Sequence, residues 1–138
     1  MVSFKGVTNV STAAGASPQP DIRPQRRSAG DYAKAFGDAT PRLSPSQALL
    51  EAERCLYCYD APCATVCATR IDVPSFIKRI ADGNLRGSAR TILESNPLGG
   101  MCARVCPTEN LCEAVCVRNT QEDRPVAIGR LQRHAVDA

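Results

Sequence analysis

The sequence predicts an all-α domain, and three observations support this fold class. Apolar residues recur at the helical period in the second half of the chain, as at Leu85, Ala89 and Ile92. No segment shows the alternating apolar and polar pattern of a β-strand. Three cysteine pairs have the spacing of one helical turn, which favours short helices around the thiols. These pairs are Cys63 and Cys67, Cys102 and Cys106, and Cys112 and Cys116.

The first 43 residues are predicted to form a flexible N-terminal arm, and the helical domain is expected over residues 44–138. Residues 1–30 are rich in Gly, Ala, Ser, Thr and Pro, a composition typical of extended or disordered segments. The same arm could instead wrap around a partner protein. In both cases the stretch 31–36 can form a short helical turn.

The domain is expected to begin with a well-capped helix from Pro45 to about Cys55. Ser44 stands at the N-cap, Pro45 at the first helical position and Gln47 at the third, which is a capping-box arrangement. A second helix should start near Asp72 and end at Gly83. Further helices are predicted over about 85–95 and about 126–137. The stripes Phe76/Ile80 and Leu85/Ile92 are expected to lie in the core. Other apolar residues that match the helical period are Ile77, Ala89, Leu93, Ala127, Ile128, Leu131 and Ala135.

Composition and charge exclude several classes of function. The net charge of +3 comes from residues 1–43, because residues 44–138 hold eleven basic and eleven acidic side chains. The predicted domain therefore gives no electrostatic support for nucleic-acid binding. No apolar run of about 18 residues predicts a membrane span, and the N-terminus lacks the apolar core of a secretory signal. We expect a cytoplasmic protein, in which structural disulfides are rare.

Eight cysteines in two groups are the main chemical feature of the chain. They are Cys55, Cys58, Cys63 and Cys67, followed by Cys102, Cys106, Cys112 and Cys116. Zinc sites typically combine two Cys-x-x-Cys knuckles, often with His, whereas this chain has one knuckle and a remote His134. The compact first group and the Cys106-Pro107 pair favour iron–sulfur clusters. Zinc and disulfides stay open at this point, and spacing alone assigns each group of four to its own site.

Several stretches of the chain together resemble a known family. They read Cys55-Leu-Tyr-Cys-Tyr-Asp-Ala-Pro-Cys63, Asn96-Pro-Leu-Gly99, Cys102-Ala-Arg-Val-Cys-Pro-Thr108 and Ile128-Gly-Arg-Leu-Gln132. The pattern resembles the N-terminal α-helical iron–sulfur domain of dihydropyrimidine dehydrogenase, which also occurs in the small subunit of NADPH-dependent glutamate synthase. The resemblance covers about residues 44–138 and implies an α-helical ferredoxin-like domain built around two iron–sulfur clusters.

The resemblance also implies a crossed set of ligands for two [4Fe-4S] clusters. One cluster would take Cys55, Cys58, Cys63 and Cys116. The other would take Cys67, Cys106, Cys112 and the side-chain oxygen of Gln132, where glutamate synthase has Glu. Cys102 is left as a spare thiol. Three arginines could screen the negative charge of a cluster or could be ordinary surface residues, namely Arg104, Arg118 and Arg130.

The function implied by the resemblance is electron transfer. The domain would relay electrons between a flavin/NAD(P)H module and a partner redox centre, within a dihydropyrimidine dehydrogenase-like or glutamate synthase-like oxidoreductase. The chain contains no G-x-G-x-x-G motif, so that module would belong to the same longer chain or to a partner subunit. No catalytic site of its own is expected, because His134 lacks an evident nucleophile or acid–base partner. The alternative is a structural zinc-binding module that docks a partner subunit.

Overall fold

The computed structural model describes residues 27–138, and every regular element in that range is helical. This confirms the predicted all-α class. The chain divides into two compact units, with the boundary between Gly37 and Asp38. The predicted arm lies mainly in residues 1–26, outside the described residues. None of the helices over residues 27–138 has the length and apolar character needed to cross a membrane.

The described part of the first unit is one short helix, α1 (Ala29–Ala35). Ser28 caps it, because its hydroxyl accepts a hydrogen bond from the backbone N–H of Asp31 at 3.1 Å. The Asp31 carboxylate accepts one in return from the backbone N–H of Ser28 at 3.3 Å, which completes a capping box. The helical turn predicted over residues 31–36 is therefore confirmed, and it begins two residues earlier.

The second unit contains seven α-helices within the described residues. They are α2 (Pro45–Glu53), α3 (Pro62–Val66), α4 (Val73–Ala81), α5 (Leu85–Ser95), α6 (Gly99–Val105), α7 (Val117–Glu122) and α8 (Ile128–Val136), with one 3₁₀ turn at Thr108–Asn110. The predicted start of α2 is confirmed: the backbone N–H of Gln47 donates to the Ser44 hydroxyl at 3.3 Å, and the Gln47 side chain accepts from the Ser44 backbone at 3.0 Å. Asp72 caps α4, and Gly83, with φ of 75°, follows its end.

The core lies between α2, α4, α5 and α8, and α6 packs on the outer side of α8. Its largest fully buried side chains are Phe76, Ile71, Ile77, Ile92 and Leu131. Ile92 is fully buried, whereas Leu93, which matches the same helical period, is 43% exposed. The buried stripe of α5 instead runs through Ser88 and Ile92, one helical turn apart. Ser88 satisfies its hydroxyl by donating to the Phe76 carbonyl at 2.8 Å.

In each Cys-x3-Cys pair at most one cysteine lies within a helix, so no pair is carried by one continuous helix as the spacing predicts. Helix α3 ends before Cys67 and α6 ends before Cys106, while Cys116 precedes α7 as its N-cap. The backbone of all three residues is extended, with ψ of 123°, 129° and 130°. An extended residue no longer follows the helical spacing, so the two thiols of a pair need not belong to the same site.

Residues 38–43, which the sequence places in the arm, contact α8 in the second unit. Arg133 binds the Asp38 carboxylate and also donates to the Thr40 carbonyl at 2.6 Å. The carbonyl of the buried Leu43 lies 3.1 Å from Nδ1 of the buried His134. These contacts join α8 to the segment that directly precedes α2. The division of the chain at residue 43 stays a prediction.

Candidate metal centres

Four cysteines from two distant segments line a single cavity, and we call them the first cysteine set. Cys55 follows the end of α2, Cys58 lies in the next loop and Cys63 lies in the first turn of α3. Cys116 joins them from the start of α7, more than fifty residues further along the chain. The structure thus brings together the four residues that the resemblance implies for one cluster. It does not group Cys67 with its sequence neighbours.

The walls of this cavity are apolar apart from one charge. They contain Leu56, Pro62, Val73, Pro74, Ile77, Val117, Val126 and Ile128. Among the described residues Arg118 is the one charged side chain that lines the cavity. Such a lining suits an anionic metal cluster, because apolar walls exclude water and the arginine supplies a positive charge.

The loop between Cys55 and Cys63 is bent by two residues in the left-handed region. Tyr57 has φ of 50° and Ala61 has φ of 33°, although neither is glycine. Left-handed backbone costs of order 1 kcal/mol for such residues, so the surrounding structure must hold it. The hydroxyl of Tyr57 donates to the Ala52 carbonyl at 3.3 Å, which ties this bend to α2. The bends turn the chain so that three of its thiols face one cavity.

A network of ion pairs joins the two segments that supply the first cysteine set. Arg54, directly before Cys55, binds Glu51 at 2.6 Å and Glu122 at 2.9 Å. Its guanidinium also donates to backbone carbonyls just before α8, at 2.7 Å and 3.1 Å. In the opposite direction, Nε of Arg118 on α7 donates to the Arg54 carbonyl at 2.8 Å. The end of α2 and the start of α7 are therefore held together by protein contacts.

Burial raises the pKa of two thiols in the first cysteine set, Cys55 and Cys63. For Cys63 the pKa rises to about 11, with burial as the main cause and the neighbouring thiols of Cys55 and Cys116 adding to it. Burial also raises the pKa of Cys55, and the positive charge of Arg118 partly opposes this rise. These groups are protonated thiols at neutral pH, so metal binding must displace their protons.

The resemblance implies three further cysteines for the other cluster, and we call them the second cysteine set, namely Cys67, Cys106 and Cys112. Burial raises the pKa of Cys112 to about 12, and the neighbouring Glu113 and the thiols of Cys106, Cys67 and Cys63 add to this. The thiols of Cys106 and Cys67 are thus within electrostatic range of Cys112. Because Cys63 of the first set is also within electrostatic range, the two sets adjoin each other.

Cys67 is the exception among these thiols, because its pKa is lowered. Burial acts to raise it, but hydrogen bonds from the Thr69 hydroxyl and from the backbone N–H groups of residues 69–71 outweigh that effect. The Thr69 oxygen lies 3.5 Å from the Cys67 sulfur. Donors of this kind stabilise a thiolate and therefore prepare Cys67 as a metal ligand.

Gln132 lies on α8 with only 6% of its surface exposed, unlike an ordinary surface glutamine. Its Nε2 donates to the Gly99 carbonyl at 3.0 Å, which fixes the orientation of the amide. Its Oε1 has no hydrogen-bond partner among residues 27–138. Every fully enclosed side-chain oxygen and nitrogen in that range has a partner, so this oxygen borders open space and is available as a donor to a metal.

Helix α8 places Gln132 alongside the segment that carries Cys106 and Cys112. One turn earlier, the backbone N–H of Gly129 donates to the Glu113 carboxylate at 2.9 Å. Gly129 also lies so close to Thr108 that an added Cβ would be 3.0 Å from the threonine methyl. The same face of α8 thus contacts the chain on both sides of Cys106, at Gly99 and at 108–113. The spacing of the cysteines in the sequence does not predict that α8 contacts these residues.

Cys102 lies on α6, half-buried and within electrostatic range of the Cys106 thiol. The pKa of Cys106 is raised, mainly by burial and then by Cys102. Cys102 is thus a neighbour of the second cysteine set, one turn of α6 away from Cys106.

The donors in both sets fit iron–sulfur clusters. Four thiols around an apolar cavity are the usual environment of a [4Fe-4S] cluster. The second cysteine set offers three thiols, and Gln132 lies one turn from Gly129, which contacts Thr108 and Glu113. Over residues 27–138 no three His, Cys, Asp or Glu side chains converge on a point suited to a single metal ion. Fold and cysteine sets together define a helical iron–sulfur domain.

Comparison with known proteins identifies the family. Residues 32–138 match the family model described as dihydropyrimidine dehydrogenase domain II, 4Fe-4S cluster. The chain belongs to this family and is a [4Fe-4S] domain of the dihydropyrimidine dehydrogenase type. This confirms the resemblance drawn from the cysteine pattern.

Curated relatives support the same family. The chain is 49% identical over 100 residues to the NAD-dependent dihydropyrimidine dehydrogenase subunit PreT of Escherichia coli O157:H7, which covers 72% of this chain and 24% of that protein. It is 48% identical, with the same coverage, to the PreT homolog of Salmonella typhi and to PreT of E. coli K12. The chain thus spans about a quarter of the length of the curated relatives it matches.

Proposed function

We propose that this chain is an electron-transfer domain that carries two [4Fe-4S] clusters. The observation that supports this most strongly is the cavity of the first cysteine set, where Cys116 joins three cysteines from a distant loop. A second group of three thiols adjoins it, so one-electron transfer between two neighbouring centres is possible. The family establishes 4Fe-4S binding, and the count of two clusters is our proposal.

The proposed ligands follow the two sets. The first cluster is bound by Cys55, Cys58, Cys63 and Cys116. The second is bound by Cys67, Cys106, Cys112 and Oε1 of Gln132. Each cluster then joins the N-terminal half of the domain to the C-terminal half. Because metal binding and folding are coupled in such domains, each cluster should stabilise the whole unit.

The protein's own groups determine how each site works. A bound [4Fe-4S] cluster supplies one-electron redox chemistry. The apolar walls of the first site exclude water, and Arg118 offsets negative charge there. At the second site, hydrogen bonds stabilise the Cys67 thiolate, and a neutral amide ligand in place of a fourth thiolate lowers the net negative charge. Net charge and hydrogen bonding are the main controls on cluster potential.

The proposed partner is a flavin/NAD(P)H module, either in the same longer polypeptide or in a partner subunit. The support is that the relatives are about four times longer than the matched region and are named NAD-dependent dihydropyrimidine dehydrogenase subunits. On this basis we assign the parent reaction to dihydropyrimidine oxidoreduction in the cytoplasm. Gln132 agrees with this branch, since the glutamate synthase pattern has Glu at that position.

The first experiment is metal analysis of the anaerobically purified protein. We expect about eight irons and about eight acid-labile sulfides per chain, a brown colour and an EPR signal after reduction. About two zincs without sulfide or colour would overturn the proposal and favour the structural docking module. About four irons would support a single cluster and overturn the count of two.

The Gln132 ligand has its own test. Gln132→Cys replaces a neutral donor with an anionic thiolate, so the midpoint potential of one cluster should move to lower values. Gln121→Cys, at an exposed position on α7, is the control and should move neither potential. An unchanged redox titration of the Gln132→Cys protein would contradict the assignment of this ligand.

A further inference from the structure

We propose that Arg118 raises the reduction potential of the cluster at the first cysteine set. This inference depends on the two-cluster function proposed above, and it assigns a role to a residue outside the ligand set. Arg118 is the one charged side chain of the described residues that lines the cavity with the four cysteines. Its position is therefore different from that of the other arginines that the sequence offered for this role.

The two other candidates bind elsewhere. Arg104 donates to the Gly100 carbonyl at 2.8 Å and to the Asp137 carboxylate at 2.8 Å. Arg130 donates to the Pro41 carbonyl at 3.3 Å. Neither lines the cavity of the first cysteine set. Of the three arginines considered from the sequence, the structure assigns this position to Arg118.

The guanidinium of Arg118 is held in a fixed orientation. Its Nε donates to the Arg54 carbonyl at 2.8 Å, and another of its nitrogens binds Glu122 at 2.5 Å. The side chain is 22% exposed, so it is partly shielded from water and salt. An arginine fixed by two hydrogen bonds keeps its charge at one place when the cluster changes its redox state.

The ion-pair network around Arg118 keeps a positive charge. Glu122 is shared between Arg118 and Arg54. Glu51 is shared between Arg54 and Arg124. Three arginines therefore face two carboxylates, and the carboxylates do not cancel the positive charge beside the cavity.

A positive charge at this place acts on the two redox states unequally. A [4Fe-4S] cluster with four thiolates is anionic, and reduction adds one more negative charge. The arginine therefore stabilises the reduced state more than the oxidised state, which raises the potential. The effect is stronger between apolar walls than in water, because the effective dielectric constant there is lower.

The test is an anaerobic redox titration followed by EPR, on the wild type and on Arg118→Gln. We expect one of the two midpoints to fall and the other to stay unchanged. At a fixed ambient potential, the ratio of reduced to oxidised cluster should change about tenfold. This corresponds to a shift of about 59 mV in the midpoint potential of a one-electron step. Gln132→Cys should lower the other midpoint, which assigns each step to one cysteine set.

Two further variants separate charge from structure. Glu122→Gln removes the carboxylate that Arg118 and Arg54 share, so the same midpoint should rise. Arg118→Lys keeps the charge and loses the hydrogen-bond geometry, so its midpoint should lie closer to the wild type than that of Arg118→Gln. Arg90→Gln, which removes an exposed ion pair with Glu94 on α5, is the control and should move neither midpoint.

The outcomes distinguish this inference from the proposed function. If the wild type has about eight irons and Arg118→Gln leaves both midpoints unchanged, the role of Arg118 is wrong while two clusters stand. If Arg118→Gln fails to retain iron, a fall of the midpoint in Glu122→Gln would overturn the role. If Arg118→Gln and Gln132→Cys move the same midpoint, Arg118 does not act on the first cysteine set.

Discussion

The two cysteine sets differ in where their donors come from. The first set takes three thiols from one loop, residues 55–63, and a fourth from Cys116. The second set takes Cys106 and Cys112 from one short segment and Cys67 from another, and its proposed fourth donor is an amide on α8. The first site is thus nearly complete within a short stretch of chain, whereas the second exists only when distant helices have packed.

The sets also differ in what holds them. The ion pairs of Arg54 and the hydrogen bond from Arg118 join the two segments of the first set. The segments of the second set are joined by close contacts at two glycines. The Gln132 amide donates to the Gly99 carbonyl, and Gly129 packs against Thr108. We therefore expect the first site to be weakened mainly by substitutions that change side-chain charge. The second site should be weakened mainly by substitutions that change side-chain volume.

The largest expected effect is the loss of a ligand. Cys116→Ala should reduce the iron content from about eight to about four or fewer per chain, because the first site loses the thiol that joins its two segments. Cys102→Ala is the matched control, since Cys102 belongs to neither proposed set, and it should keep about eight irons. Full iron content in the Cys116 variant would contradict the proposed partition.

A smaller effect is expected from one methyl group between α5, α6 and α8. An added Cβ at Gly99 would lie 2.7 Å from the Cγ2 methyl of the fully buried Ile92. Gly99→Ala should therefore cost about 1–3 kcal/mol. The displacement of α6 should also weaken the hydrogen bond between Gln132 and Gly99 and loosen the second site first.

The control for this prediction is the adjacent residue. A Cβ at Gly100 would meet its nearest atoms at 4.0 Å, so Gly100→Ala should be neutral or stabilising by up to about 1 kcal/mol. The measurement is the anaerobic thermal midpoint, which moves by about 4–8 °C per kcal/mol in a domain of this size. Equal midpoints for the two variants would show that α6 is not closely packed here.

The helices could be predicted from the sequence because local signals determine them. Ser44, Gln47 and Asp72 are capping residues whose hydrogen bonds form within three positions along the chain. The partition of the thiols could not be predicted from spacing. The Cys-x3-Cys spacing suggests a shared helix face, but Cys67, Cys106 and Cys116 have extended backbone at helix ends. The family resemblance supplied the crossed arrangement.

Long-range contacts were likewise beyond the sequence pattern. The burial of Gln132 results from a hydrogen bond to Gly99, more than thirty positions earlier. The place of Arg118 in the cavity results from a bond to the Arg54 carbonyl, 64 positions away. Pairings over such distances depend on how helices pack, which neither periodicity nor composition specifies.

The smallest expected effect concerns Asp137 at the end of α8. Hydrogen bonds from Arg104, and then from Arg133, lower the pKa of this carboxyl from its ordinary value of 3.8. Its contribution to stability is therefore fully present above pH 3.8 and is lost only as the pH falls through the lower value of the folded state. Because both ion pairs are partly exposed, Asp137→Asn should cost about 0.5 kcal/mol.

The pH dependence tests this account of Asp137. The difference in thermal midpoint between Asp137→Asn and the wild type should be the same at about pH 8 and about pH 5, since the carboxylate stays charged over that range. A difference that shrinks toward pH 5 would contradict the lowered pKa. Glu94→Gln, in an exposed pair with Arg90, should change stability even less.

The crossed partition of the thiols is tested most directly by a paired redox titration of Cys63→Ser and Cys67→Ser. Serine keeps an oxygen donor at each position, so the clusters can be retained with altered potentials. Cys63 and Cys67 are one helical turn apart in sequence, yet the first lines the cavity with Cys116 while the second neighbours Cys112. We predict that each variant changes a different midpoint. If both variants change the same midpoint, the two cysteines bind one cluster and the crossed arrangement is wrong.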